Sequence, residues 1–261
     1  MKISHELPLS LFPYSAEFND YEYCLPHLLD KHTDYRQFFL DSSERGRFII
    51  MDNGLFEGVT HTTKDLLEKI DLIEPNIFIV PDAWNDRDIT AKNAKHWTQY
   101  KLPFKTKLMV VLQGKTTTEI HTLYQQCVDL GYTHFAINHS SIVYQSLCES
   151  PIEIANQSVG RVMLIEYLRT QNMIKDHHYI HLLGASTPQE FTYYRDNLPN
   201  LVNSVDTSNP IIVGALGQRY AEVGMLTKPS NKIEEFMEVD LEDKIEDIRF
   251  NVQRFKNFCN K

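Results

Sequence analysis

Seven short apolar runs rich in β-branched residues punctuate the chain: Arg47–Met51 (RFIIM), Ile77–Val80 (IFIV), Leu108–Leu112 (LMVVL), His134–Ile137 (HFAI), Tyr179–Leu183 (YIHLL), Leu201–Val205 (LVNSV) and Pro210–Ala215 (PIIVGA). Each is too short for a helix, and each reads as a strand buried on both faces, as parallel sheets require. Lys2–Leu9 is an eighth candidate. Helical patterns lie between them. Thr62–Ile73 opens on capping chemistry and continues with leucines at helical spacing. Asp86–Tyr100, Thr116–Asp129, Ile152–Ile174 and Leu241–Phe258 follow the same period. In Thr187–Asn197, Thr187 is placed as N-cap and Pro188 as the first helical residue. Strand–helix alternation of this kind predicts a parallel α/β sheet, and eight strands fit a (β/α)8 TIM barrel. A doubly wound open sheet is the alternative, weakened because no G-x-G-x-x-G follows any strand.

The 261 residues, 42% hydrophobic, can bury one large core or two small ones. No shift in composition divides them, so a single domain over residues 1–261 is expected. No uncharged apolar run approaches the ~20 residues of a membrane span. Glu6 and the nearby prolines interrupt any signal-peptide core. Cys24, Cys127, Cys148 and Cys259 are scattered, with no C-x-x-C. That argues against a disulfide framework or a zinc site, and free thiols point to the cytoplasm. The net charge of -9 excludes a generally basic nucleic-acid coat but not a local basic strip.

In a barrel the active site lies at the C-terminal strand ends. There the sequence places Asp52-Asn53-Gly54, Pro81-Asp82, Gln113-Gly114, Asn138-His139-Ser140, Gly184-Ala185-Ser186 and Asp206-Thr207-Ser208-Asn209. Any one of these could be a helix cap or turn, as Asp and Asn often are. Carboxylates or amides at five of six consecutive strand ends point instead to one site. His177, His178 and His181 are read as structural histidines rather than metal ligands.

Five of these segments, in order, resemble tRNA-guanine transglycosylases. MDNGLFE is similar to the D-S-G-G-F-Q segment that carries a catalytic Asp, and VPDAW to the strand end whose Asp reads the nucleobase. VVLQG resembles the Gln-Gly strand end, HLLGASTPQEF the L-M-G-V-G-T-P-E-D-L segment, and SVDTSNP the strand with the nucleophilic Asp. The likeness covers about residues 45–220 and is closest to compact phage and bacterial members that act on DNA guanines. Two departures stand out. The family's C-x-C-x-x-C zinc motif is absent, so its zinc subdomain is missing or rebuilt, and Asn138-His139-Ser140 replaces a Gly-Gly-Leu base-reading loop.

The resemblance implies cleavage of a base–sugar bond. Asp206 would be the nucleophile or the carboxylate stabilising an oxocarbenium ion, and Asp52 the acid/base. Asp82 and Gln113, with Gly114, Asn138 and Gly184, would bind the base. Asn53, Ser208 and Asn209 are candidates for the sugar or for turns. Lys115 and Arg219 are candidates for phosphate or are solvated surface charges. Trp84 and Tyr144 either stack on the base or belong to the core. No cofactor is implied. The expected partners are DNA, with tRNA second, and a free 7-deazaguanine-type base where exchange occurs.

Exchange and hydrolysis to an abasic site both remain open, and hydrolysis would suit a modified base in foreign, phage DNA. A barrel that only binds nucleic acid and a small-molecule lyase or aldolase rank lower. Lys232–Arg249 holds eight acidic and three basic residues, a balance of -5 out of -9. This region is expected to pack outside the barrel, leaving Lys115, Arg219, Arg87 and Lys228 around the mouth.

Overall fold

The computed structural model describes residues 1–260. Its strands are β1 (Lys2–Ser4), β2 (Glu22–Cys24), β3 (Ile49–Met51), β4 (Ile77–Ile79), β5 (Lys107–Val111), β6 (His134–Asn138), β7 (Tyr179–Leu183) and β8 (Ser204–Asp206). They form one eight-stranded sheet in the order β1-β8-β7-β6-β5-β4-β3-β2, and every pairing is parallel. With helices between the strands this is a nearly closed (β/α)8 barrel.

Strands β1 and β2 share no ladder, and two side chains close the gap. Asn19 accepts from His5 N at 2.7 Å and donates to His5 O at 3.0 Å, pairing with that backbone as a strand would. The Asp20 carboxylate accepts from Ile3 N, and Asp20 N donates to Ile3 O, each at 2.8 Å. The backbone groups that an open edge would leave unpaired are thereby satisfied.

The strand count agrees with the sequence, but the membership differs. Pro210–Ala215 is not a strand. It lies in a helix, Asn209–Ala215, with Pro210 in the first turn. A short buried apolar run is ambiguous between strand and helix, and Pro at a helix start favours the latter. This helix packs against the closing helix Ile245–Cys259, and a Cβ on Gly214 would meet Ile248 Cα at 2.6 Å. Glycine is required by that approach.

The strand missing from the sequence reading is β2, whose EYC has no apolar signature. Its Glu22 is nevertheless buried, accepting from Arg47 Nη2 at 2.7 Å and Ser15 Oγ at 2.6 Å. Lys2–Leu9 is extended only over Lys2–Ser4, and Leu9–Tyr14 forms a 3-10 helix. The last strand begins later than Leu201 and includes Asp206 itself.

Three helix starts follow local capping rules: Thr62, Asp86 and Thr116 accept from the amides of Asp65, Ile89 and Glu119. Thr187 does not cap. It pairs with Ser158 Oγ at 2.8 Å, and its helix starts later, at Glu190. No helix among the described residues is long and apolar enough to cross a membrane.

Candidate active site

All parallel strands of a barrel end at one rim, so residues separated widely in sequence meet there. Asp206 ends β8 and Asn138 ends β6. Asp52 follows β3, Gly184 follows β7, and Asp82 and Gln113 lie just beyond β4 and β5. These six, with Asn53 and Ser208, line one cavity of about 300 Å³. Its wall also includes Glu6, Tyr23, Phe56, Glu57, Trp84, His139, Lys228, Lys232 and Glu234.

One wall is a fixed polar clamp. Asn53 Nδ2 donates to Asp82 Oδ1 at 2.7 Å and to Val80 O at 3.0 Å. Gln113 Nε2 donates to Asp82 Oδ2 at 2.6 Å, and Gln113 Oε1 accepts from Asn85 N at 2.9 Å. Both Asp82 oxygens are thus oriented by amides. Burial nevertheless raises the Asp82 pKa to about 6, with the amide contacts opposing the rise. Beside it, Tyr144 OH donates to Asn138 O at 2.6 Å and lies 3.2 Å from Asn138 Oδ1. This sets the amide orientation and leaves the buried Asn138 Nδ2 without a partner.

The two central carboxylates have different surroundings. Asp206 Oδ1 accepts from Gly184 N at 3.3 Å and lies 3.0 Å from His181 Nε2. The imidazole N–H is out of line for a hydrogen bond, so the latter contact is electrostatic. Burial raises the pKa of Asp52, the Asn53 amide opposes the rise, and the charge of Asp206 adds to it. Glu57 is pushed up to about 8 by burial and then by the charge of Asp52. Glu6 is raised well above its ordinary value by burial and by Asp206. Glu234 moves the other way, held low first by His27, whose Nε2 lies 3.6 Å away.

Gly184 has φ of +67°, and a Cβ there would stand 2.7 Å from His139 Nδ1. Both the backbone conformation and the closeness of His139 call for glycine. Arg161 fixes the same turn from beneath, donating to Leu183 O at 3.2 Å and Gly184 O at 2.9 Å. It is wholly buried and forms a two-bond pair with Glu190 at 2.7 and 3.0 Å.

Several expected site residues lie outside the cavity lining. Gly114 packs against Glu119 and Ile120, where a Cβ would come within 3.0 and 3.2 Å. Lys115 is an exposed residue whose backbone N–H donates to Glu119. Asn209 is buried and accepts from Tyr220 OH. Arg219 pairs with Asp247 at 2.6 Å and rests over the Phe250 ring, away from the cavity lining. Arg87 pairs with its neighbour Asp88. Trp84 faces the cavity, whereas Tyr144 is core.

The acidic segment from residue 232 does not lie wholly outside the barrel, because Lys232, Ile233 and Glu234 join the cavity wall. Six carboxyl side chains (Glu6, Asp52, Glu57, Asp82, Asp206, Glu234) therefore face two ammonium groups (Lys228, Lys232). The mouth is acidic, contrary to the basic rim expected from sequence. No group of three or more His, Cys, Asp or Glu side chains among the described residues is arranged to hold a metal ion.

Glu6 and Tyr23 escaped the sequence reading because the strands before and around them are three residues long. The strand-end rule applied to KIS would have found Glu6, which stands two residues beyond β1 as Gln113 stands two beyond β5. Glu57 and His139 lie within quoted motifs but carried no role. The sequence pattern reads His181 as structural, and its place against Asp206 gives it a second significance. No protein-family model matches the chain, and no curated protein sequence matches it.

Proposed function

We propose that this chain cleaves the N-glycosidic bond of a nucleobase in DNA, by base exchange or by excision. The observation that carries the reading is one cavity holding Asp52 and Asp206 beside the Asp82–Gln113–Asn138 wall. In this reading a flat heterocycle would lie in the cavity that the polar clamp and Trp84 share, with the scissile bond toward Asp206. Departure of the base leaves positive charge at the anomeric carbon, which Asp206 stabilises or attacks. Asp52, whose buried carboxyl keeps its proton to higher pH than a free one, delivers a proton to the leaving base. The target nucleotide of a duplex must flip out of the stack to enter.

Within this reading, hydrolysis to an abasic site has its own support. Asp52, once it has given its proton to the leaving base, is a carboxylate suited to take one from attacking water, and Glu6 and Glu57, which burial keeps protonated to higher pH, stand beside it as further proton donors. A tRNA substrate is disfavoured because the chain lacks the C-x-C-x-x-C zinc motif of the subdomain that helps the resembled family grip tRNA.

The test is incubation with DNA and with tRNA, with and without a free 7-deazaguanine, followed by mass spectrometry of released bases. Release without replacement identifies excision, and replacement identifies exchange. Unchanged DNA and unchanged tRNA would reject the reading.

A further inference from the structure

One charged group in the cavity has no task in the chemistry above. Lys228 lies on the segment between the helix Asn209–Ala215 and the 3-10 turn Ile233–Phe236, and it lines the same cavity as Asp52 and Asp206. Its ammonium makes no hydrogen bond and no ion pair with any described residue. The other lysine of the wall is engaged, since Lys232 Nζ sits 5.7 Å over the Phe56 ring. Lys228 is thus an unpartnered primary amine in a site crowded with carboxyl groups.

Its surroundings act on it in two directions. Partial enclosure disfavours the ammonium form and lowers the pKa, although part of the side chain remains exposed, and Glu6 and Asp206 oppose that shift. A lysine so placed supplies more free amine near neutral pH than one in bulk solvent. The Asp206 charge acts on this ammonium, so the amine and the carboxylate assigned to the anomeric carbon serve one chamber.

We propose that Lys228 is an amine nucleophile that captures, as an imine, the C1′ aldehyde of the deoxyribose left when a base is removed. The inference rests on the excision branch of the function proposed above. Excision leaves a hemiacetal whose ring opens to an aldehyde. The Lys228 Nζ lone pair attacks C1′, the C–N bond forms, and the carbonyl electron pair moves to oxygen. The oxygen then leaves as water, carrying both amine protons away, and a C=N bond remains. No oxidant, reductant or metal takes part. Asp52 and Glu57, carboxyls that burial holds protonated above the ordinary range, can pass a proton to the departing oxygen and recover it from nitrogen.

The decisive experiment supplies the aldehyde directly. An oligodeoxynucleotide with one preformed abasic site is incubated with the full chain and sodium borohydride, which reduces an imine to a stable secondary amine. Peptide mass mapping of the adduct is expected to place the sugar on Lys228. Lys228→Ala and Lys228→Arg are expected to lose at least about tenfold of the adduct, because neither offers a neutral primary amine. Lys92→Ala, on the exposed face of the helix Arg87–Trp97, controls for surface lysines and is expected to leave the yield unchanged.

Absence of an adduct, an adduct mapped to another lysine, or full yield in Lys228→Ala would overturn the assignment and leave Lys228 as a counter-ion only. The substrate needs no base removal. A protein that traps the aldehyde but releases no base would therefore reject the proposed function and not this inference.

Discussion

His181 Nε2 lies 3.0 Å from Asp206 Oδ1, and the two side chains are 0% and 5% exposed. On the far side of the ring, His181 Nδ1 is 2.8 Å from Ser204 Oγ, which accepts from Tyr179 OH at 2.9 Å. With Tyr179 donating to it, the Ser204 hydroxyl proton is free for His181 Nδ1. That tautomer puts the ring proton on Nε2, the nitrogen 3.0 Å from Asp206 Oδ1, although the N–H is out of line with that oxygen. The Tyr23 ring stacks on the imidazole at 6.1 Å and holds its plane. Removing the ring should cost activity through Asp206 rather than by direct contact with substrate. His181→Ala is expected to lower base release by about tenfold to a hundredfold. Loss of the buried contact should also reduce stability by about 1–3 kcal/mol. His181→Gln, which keeps an N–H donor, should recover part of both. Single-turnover rates and denaturant titration of the two variants check this, and wild-type rates in His181→Ala would remove the link to Asp206.

Asp206→Asn and Asp52→Asn should each reduce base release by about 10²–10⁴-fold. Their effect on folding should run the other way. Burial and mutual repulsion raise the Asp52 pKa, so the folded protein gains when one of these carboxyls becomes an amide. An unchanged or higher melting temperature alongside lost activity is the expected pattern. Retained activity in either variant would remove the role of that residue.

Glu57 gives stability a pH dependence of defined sign. Its pKa is about 8 in the folded protein against 4.5 for the free side chain. The native state therefore binds more protons than the unfolded chain between those values. The contribution is fully present below pH 4.5 and is lost as pH rises through about 8. Asp82, raised to about 6, acts in the same direction over a lower window. The melting temperature of Glu57→Gln should fall less between pH 5 and pH 8.5 than that of the wild type. Parallel curves for the two proteins would show that Glu57 does not titrate in this way.

Nucleic-acid binding should be weak and only mildly salt-dependent. Lys228 and Lys232 are the cationic side chains of the cavity wall. Neutralising about one to two phosphates, the lower number where Lys228 is a free amine, gives a slope of log affinity against log salt between about −1 and −2. A slope near −6 would place a basic surface elsewhere on the molecule.

Arg161→Met should be the most damaging substitution away from the cavity floor. It strands Glu190 without its charge partner in a fully buried position, at a cost of about 3–5 kcal/mol. It also frees the Leu183 and Gly184 carbonyls, so the turn that presents Gly184 N to Asp206 should loosen. Urea denaturation measures the first effect. A loss under 1 kcal/mol would contradict the assigned burial.

Asp52, Asp82, Gln113, Asn138, Gly184 and Asp206 could be read from sequence because parallel strands send their C-terminal ends to one rim. Polarity just after an apolar run then suffices to locate them. Pro210–Ala215 misled for the opposite reason. Its apolar content records burial, which a helix packed on Ile248 satisfies as well as a strand does. β2 gave no strand signal for a third reason, since its buried Glu22 is neutralised by Arg47, from a different part of the chain. Arg219 and Lys115 carried no signal of direction. Whether a surface cation faces a mouth or an outer helix depends on partners such as Asp247 that no local pattern names.

The clasp formed by Asn19 and Asp20 makes the barrel mechanically uneven. Seven of its joints are backbone ladders between strands, and the eighth depends on the Asn19 and Asp20 side chains and the Asp20 N–H reaching His5 and Ile3. Such a joint can part without sacrificing a single strand-to-strand ladder bond, so the cylinder has a preferred line of give. Glu6 lies just beyond β1 on one side of that line and Tyr23 lies in β2 on the other, and both belong to the cavity wall. The compliance of the chamber is therefore concentrated along one seam. Amide exchange should be fastest at Ile3 and His5 among the strand-end amides, because small excursions of the clasp uncover them first.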